Sequence, residues 1–172
     1  MLHIATSTPP LGNHRFGDAA HKPIALDFQE VAQSMHRLKT YIVEDSQVIR
    51  ENLIAALEEL VPIVVVGTAE DEAAAVDWMT QPDSQFDLVI IDIFLKSGSG
   101  LGVLRAMNGL PQKHTVVVLS NYATQDMRRK CLELGADRVF DKSNEIDALM
   151  LYCDRLAAGD GGGGGSSYGA VV

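Results

Sequence analysis

The 172-residue chain has few cysteines, a deficit of basic residues and no long apolar run. Its two cysteines, Cys131 and Cys153, cannot make a disulfide framework, and they predict reduced thiols in a cytoplasmic protein. Lys and Arg number 14 against 23 Asp and Glu, and the net charge of −9 argues against binding to duplex DNA or an anionic membrane. No apolar run approaches the roughly 18 residues of a membrane span, and residues 1–12 lack the features of a secretory signal.

The two ends of the chain differ in composition from its middle. Residues 1–37 contain several prolines and glycines without a regular period, and they predict an N-terminal extension that is partly disordered. Apolar spacing over 27–38 indicates a short helix, which would either pack on the domain or dock a partner. Residues 159–172 contain seven glycines and predict a flexible tail. The segment 38–158 is long enough for one folded domain.

Between these ends, short β-branched runs alternate with segments of helical apolar spacing. The predicted strands are 40–43, 63–66, 86–91, 116–119 and 139–140, each followed by a predicted helix. This alternation predicts an α/β fold, a doubly wound parallel sheet with helices on both faces. We expect Thr124 to cap the fourth helix, Gly135 to end it and Ser143 to cap the last helix.

Polar residues that suit phosphoryl chemistry follow four of the five predicted strands. They are Glu44 and Asp45 after the first strand, Asp92 after the third, Ser120 after the fourth and Lys142 after the fifth. Parallel sheets place such residues together at the carboxyl edge, although any one of them could instead form a turn or a helix cap. Crowded carboxylates favour Mg²⁺, Asp92 could act as a nucleophile, and Lys142 and Ser120 could bind phosphoryl oxygens.

Four motifs carry a resemblance to a known family over roughly Leu38 to Leu156. They read YIVEDS, LVIIDIFLKSGSG, VVVLSNYA and GADRVFDKS. They resemble the response-regulator receiver domain of two-component signalling. The resemblance implies a flavodoxin-like sheet with strand order 2-1-3-4-5 and a phosphoacceptor at Asp92. It also implies a Mg²⁺ site made by Glu44, Asp45, Asp92 and the backbone carbonyl of Phe94.

The resemblance implies roles for further residues, and the chain departs from the family pattern at the aromatic switch position. Lys142 corresponds to the phosphate-binding lysine and Ser120 to the switch hydroxyl. The family's aromatic switch residue lies three positions before the lysine, where this chain has Val139. Phe140 follows, and strand alternation places it on the opposite face of the sheet.

Two aromatic residues occupy positions that flank the path of the hydrolytic water in the family. Phe94 lies two residues beyond Asp92, and Tyr122 lies two residues beyond Ser120. Bulky rings there would exclude or misplace the water, and they predict a slowly self-dephosphorylating domain.

The resemblance implies a response regulator of a two-component phosphorelay, and the short segments on either side of the domain predict that it is of the stand-alone type. A sensor histidine kinase or a histidine phosphotransfer protein would phosphorylate Asp92. Output would pass through the face formed by the fourth helix, the fifth strand and the fifth helix. We expect no direct DNA binding and no catalysis beyond its own phosphorylation and dephosphorylation, and homodimerisation is left open. The alternatives are a phosphorylation-independent interaction module, favoured by Val139, and a hydrolase of the same fold.

Overall fold

The computed structural model describes residues 37–159, and the remaining predicted segments lie outside this range. These are residues 1–36, including most of the predicted helix at 27–38, and all of the predicted tail at 159–172 except Gly159. Leu38 was expected at the end of that helix, but it begins the first strand instead. The backbone N–H of Leu38 donates to Pro62 O at 3.0 Å, and this bond joins Leu38 to the residue that precedes β2.

Five strands alternate with five helices, as the sequence predicted. In chain order they are β1 (Leu38–Val43), α1 (Gln47–Leu60), β2 (Ile63–Ala69), α2 (Glu72–Met79), β3 (Leu88–Ile91), α3 (Gly100–Asn108), β4 (Thr115–Ser120), α4 (Gln125–Glu133), β5 (Arg138–Asp141) and α5 (Ile146–Ala157). Within the described residues, no helix combines the length and the apolar character needed to cross a bilayer.

The strands form one parallel sheet in the order β2-β1-β3-β4-β5, which confirms the predicted fold class and strand order. Val43 pairs with Ile91, and Ile91 pairs with Val118, so β1 and β3 end level with each other and β4 continues two residues further, to Ser120. Ser120 pairs with Asp141 on β5. This register brings the residues that follow β1, β3 and β5 to the same edge as the last residue of β4.

Two separate apolar cores cover the two faces of the sheet. Side chains of β3 alternate between them: Val89 and Ile91 enter one core, and Leu88 and Ile90 enter the other. The first core contains residues of α2, α3 and α4, and the second contains residues of α1 and α5. Every residue of β3 is buried, as expected for a central parallel strand.

The two cysteines are free and buried in different cores. Burial raises the pKa of the Cys131 thiol, which nearby Lys130 partly offsets, and it raises the pKa of Cys153 to about 12. Both thiols are therefore protonated at neutral pH and act as small apolar side chains.

Two of the three predicted helix boundaries are confirmed. The Thr124 side chain accepts a hydrogen bond from Met127 N at 3.3 Å, and Gly135 adopts φ of +102° just after α4. The prediction that Ser143 caps the last helix is wrong. Its N–H donates to Asp141 Oδ1 at 2.7 Å within a turn, and α5 begins only after Glu145. Glu145 closes this turn because its N–H donates to Asp141 O at 2.9 Å.

Candidate functional site

The predicted site residues lie together at the carboxyl edge of the sheet. Glu44 is 2% exposed, Asp92 is 7% exposed and Ser120 is fully buried. Asp45 is half-buried beside them. These polar groups are therefore held in a largely dehydrated pocket, where electrostatic interactions are stronger than in water.

Three carboxylates crowd this pocket. Glu44, Asp45 and Asp92 each offer an oxygen, and these oxygens lie within 4.8 Å of one another. Such a group repels itself unless a cation is close. Oxygen-only ligands of this kind fit a hard divalent cation such as Mg²⁺.

Lys142 bridges two of these carboxylates. Its Nζ donates to Glu44 Oε2 at 2.5 Å and to Asp92 Oδ2 at 2.7 Å, and all three side chains are less than a tenth exposed. Burial alone would lower the pKa of Lys142, but the hydrogen bonds and charges of Asp92 and Glu44 outweigh it and raise that pKa. One ammonium beside three carboxylates leaves two negative charges, which a divalent cation would balance.

The Asp92 carboxylate is fixed at both oxygens. Oδ2 faces Lys142, and Oδ1 accepts a hydrogen bond from Phe94 N at 3.2 Å. The first residue of α3, Gly100, packs closely on the Asp92 backbone, and a Cβ added to it would clash with Asp92 O. Glycine is therefore required for this close approach.

The Ser120 hydroxyl has no partner. Among the residues that the structure describes, its Oγ is the buried side-chain polar atom without a hydrogen bond. An unsatisfied buried hydroxyl costs free energy, so this hydroxyl is available to bond to a group that binds at this edge.

The two candidate switch residues point to opposite faces, as strand alternation predicted. Val139 belongs to the core beneath α4, and Phe140 belongs to the core beneath α5. The Phe140 ring lies 5.9 Å from that of Tyr152, between ring centroids. Phe140 therefore does not supply an aromatic ring on the face of the sheet where Val139 lies.

Phe94 and Tyr122 meet at the rim of the pocket. Their ring centroids are 5.2 Å apart at an angle of 71°, an edge-to-face contact. The two residues are 50% and 65% exposed. This pair joins the loop after β3 to the loop after β4.

Sequence reasoning missed two cations beside the pocket. Arg50 donates from Nη1 to Glu44 O at 2.7 Å and forms an ion pair with Glu70 at 2.8 Å. Lys96 donates from Nζ to Asp45 O at 3.3 Å. The bonds to Glu44 O and Asp45 O leave no local signal in the sequence, because a backbone carbonyl is an acceptor that any residue could supply.

A third missed residue, Arg128 on α4, connects three segments. Its Nε donates to Ala123 O at 2.9 Å, its Nη1 to Val139 O at 2.5 Å and its Nη2 to Glu145 Oε2 at 2.5 Å. We call these four residues the Arg128 clasp. Arg128 lowers the pKa of the Glu145 carboxyl by hydrogen bonding, and a hydrogen bond from Asp141 N lowers it further.

Known proteins share both the sequence pattern and the fold. The family model described as the response regulator receiver domain matches residues 40–154. A probable transcriptional regulatory protein of Picosynechococcus sp. is 29% identical over 130 residues, which are 73% of this chain and 51% of that protein. Transcriptional regulatory protein YdfI of Bacillus subtilis is 26% identical over 124 residues, which are 71% of this chain and 56% of that protein.

A solved structure supports the same assignment of fold. The receiver domain of the Francisella response regulator 1452 superposes with a TM-score of 0.63 at 20% identity, over 71% of this chain and 98% of that one. This chain spans about half the length of the first curated relatives. Since the family model matches well over half of the residues, this protein belongs to the response regulator receiver domain family.

Proposed function

We propose that Asp92 accepts a phosphoryl group from the phosphohistidine of a sensor histidine kinase or a histidine phosphotransfer protein. The observation that carries this proposal is that Asp92, the Lys142 ammonium that contacts it and the unpartnered hydroxyl of Ser120 lie at one edge of the sheet. An Asp92 carboxylate oxygen would attack phosphorus, and a P–O bond would form as the P–N bond breaks. The donor imidazole would leave with the electron pair of that bond and take up a proton.

The same pocket is suited to bind Mg²⁺. Glu44, Asp45 and Asp92 would hold it with the Phe94 backbone carbonyl, and the excess of three carboxylates over the one ammonium that contacts two of them supports this assignment. Mg²⁺ would neutralise charge on the transferring phosphoryl oxygens.

Two side chains of this chain would recognise the product. Lys142 would contact one phosphoryl oxygen with its ammonium, which already lies 2.7 Å from Asp92 Oδ2. The Ser120 hydroxyl would donate to another oxygen, and this bond would satisfy its missing partner. Positioning and charge neutralisation are most of what phosphoryl transfer requires of a protein.

Output would pass by protein contact through the face made by α4, β5 and α5. Both helices pack against β5, and each carries one half-exposed leucine, Leu132 on α4 and Leu151 on α5. Phosphorylation would shift a two-state equilibrium of this face. Cytoplasmic location, the stand-alone arrangement and the absence of DNA binding stay predictions, and the protein would catalyse only its own phosphorylation and dephosphorylation.

Covalent phosphorylation tests the proposal directly. With Mg²⁺ and phosphoramidate, the intact protein should gain the mass of one phosphoryl group, and Asp92→Asn should gain none. Chelation of Mg²⁺ should abolish the gain in the unaltered protein. If the unaltered protein gains no mass from this donor or from a cognate kinase, the interaction module that does not use phosphate is the better description.

We further propose that the Phe94–Tyr122 pair slows hydrolysis of the aspartyl phosphate. The two rings touch each other in an edge-to-face contact, and at the rim of the pocket they would restrict the approach of water to Asp92. The double variant Phe94→Ala, Tyr122→Ala should hydrolyse roughly tenfold faster, which is a barrier lower by about 1.4 kcal/mol. Decay of the phosphorylated mass after donor removal measures this rate. Leu132→Ala, a half-exposed residue on α4, is the control, and equal decay in all three proteins would contradict the role.

A further inference from the structure

The Arg128 clasp ties together the three segments that surround the switch hydroxyl. Ala123 lies three residues after Ser120, in the loop between β4 and α4. Val139 is on β5, three residues before Lys142, and Glu145 immediately precedes α5. One side chain thereby links the loop after β4 with the strand and the helix that carry the proposed output face.

The contacts of the clasp require an arginine. Three nitrogens of one guanidinium donate to three acceptors on different segments. This planar arrangement of donors is fixed in arginine, whereas the ammonium of lysine cannot reach acceptors in the same geometry. Arg128 and Glu145 are about one-third exposed, so their ion pair is partly shielded from water.

Glu145 extends the clasp to the end of β5. The oxygen that accepts from Arg128, Oε2, also accepts from Asp141 N at 2.6 Å. Asp141 is adjacent to Lys142, the residue that touches Asp92. A continuous path of hydrogen bonds and backbone therefore runs from the loop after β4, through Arg128 and Glu145, to the turn that presents Lys142.

The family's aromatic switch position is filled by Val139, whose side chain has no polar group and lies in a core. The backbone oxygen of Val139 instead accepts a hydrogen bond from Arg128. Ser120 Oγ has no partner in this state, and bonding to a phosphoryl oxygen would draw the following loop toward Asp92. The Ala123–Arg128 hydrogen bond restrains that same loop.

We propose that Arg128 is a positioning residue that takes over the coupling role of the missing aromatic side chain. Its clasp holds the loop after β4 in the unphosphorylated arrangement. Engagement of Ser120 by the phosphoryl group breaks the bond to Ala123 O and releases Arg128 to rearrange against Val139 and Glu145. This inference rests on the proposed phosphorylation of Asp92.

Amide NMR spectra before and after beryllofluoride and Mg²⁺ test the coupling. In the unaltered protein, amides of residues 93–95 near Asp92 and of residues 139–145 near the clasp should both shift. In Arg128→Met and Arg128→Lys, residues 93–95 should still shift, while the shifts of 139–145 should fall to less than about half. A merely structural role would not separate the two groups of amides.

The rate of phosphorylation by phosphoramidate gives a second readout. Releasing the loop should favour the arrangement in which Ser120 reaches the phosphoryl group, so Arg128→Lys should be phosphorylated about fivefold faster. Arg129→Met is the matched control, since Arg129 lies on the same helix but is 69% exposed, and within residues 37–159 its ion pairs are with residues of α4. Arg128→Lys keeps the positive charge on α4, so it tests the same role in a variant that is expected to stay folded.

The outcomes separate the two proposals. Unaltered shifts at 139–145 and an unaltered rate in both Arg128 variants would overturn the clasp while leaving phosphorylation of Asp92 intact. If the unaltered protein shows neither shifts nor covalent phosphorylation, the proposed function itself fails, and the inference falls with it.

Discussion

Replacing Lys142 by methionine should lower the free energy of unfolding by about 3–5 kcal/mol when divalent cations are absent, because a buried ion pair loses one partner. Glu44 and Asp92 would remain buried with no ammonium between their carboxylates. Urea unfolding in the presence of a chelator measures this loss. Mg²⁺ should restore much of it, since a cation that binds only the folded state stabilises that state by mass action.

The same substitution should also slow phosphorylation by a small donor on the order of 10²-fold, since a positive charge at the transferring group is lost. Lys96→Met is the matched control, because Lys96 is exposed and contacts only a backbone carbonyl at the pocket. It should change stability by no more than about 1 kcal/mol. A Lys142→Met protein as stable as the unaltered one in chelator would show that the two carboxylates do not depend on Lys142.

Replacing Gly100 by alanine should destabilise the protein by about 3 kcal/mol through overpacking. The added Cβ would collide with Asp92 O and come within 2.8 Å of Ile93 Cα. Both are backbone atoms of the chain that follows β3, so neither can rotate away. Helix propensity alone predicts the opposite change in stability, because it favours alanine over glycine by about 1 kcal/mol.

Gly109→Ala provides the comparison for this prediction. A Cβ at Gly109 would meet Ala106 O at an ordinary 3.4 Å, and its φ is −89°. Urea midpoints should therefore drop for Gly100→Ala and stay nearly unchanged for Gly109→Ala. Phosphorylation of Gly100→Ala should slow as well, because relief of the clash moves the backbone of Asp92. Equal midpoints for the two variants would mean that the loop accommodates a methyl group freely.

The proposed output face differs in charge from the chain as a whole. The net charge of −9 argues against binding of the whole chain to duplex DNA or an anionic membrane. Yet α4 carries the consecutive basic residues Arg128, Arg129 and Lys130. Arg128 is engaged inside the clasp, whereas Arg129 forms only exposed pairs with Asp126 and Glu133. The surface charge available to a partner is therefore smaller than the sequence run indicates.

The sequence by itself determined the order of elements and the identity of the strand-end residues. β-branched runs and helical apolar spacing are local properties, so the five strands and five helices could be predicted from them. The opposite orientation of Val139 and Phe140 also followed from local geometry, since strand side chains alternate. Glu44, Asp45, Asp92, Ser120 and Lys142 could be grouped because each follows or ends a strand of one parallel sheet.

Only the tertiary structure decided how these groups contact one another. The bond from Lys142 to Glu44 spans 98 positions, and the bond from Lys142 to Asp92 spans 50. Both depend on the register of β1, β3, β4 and β5, which no local pattern encodes. The same holds for the unpartnered Ser120 hydroxyl and for the Arg128 clasp, whose backbone acceptors carry no signature in the sequence. Ser143 failed as a predicted cap for this reason, because the carboxylate of Glu145, held by Arg128, closes the turn instead.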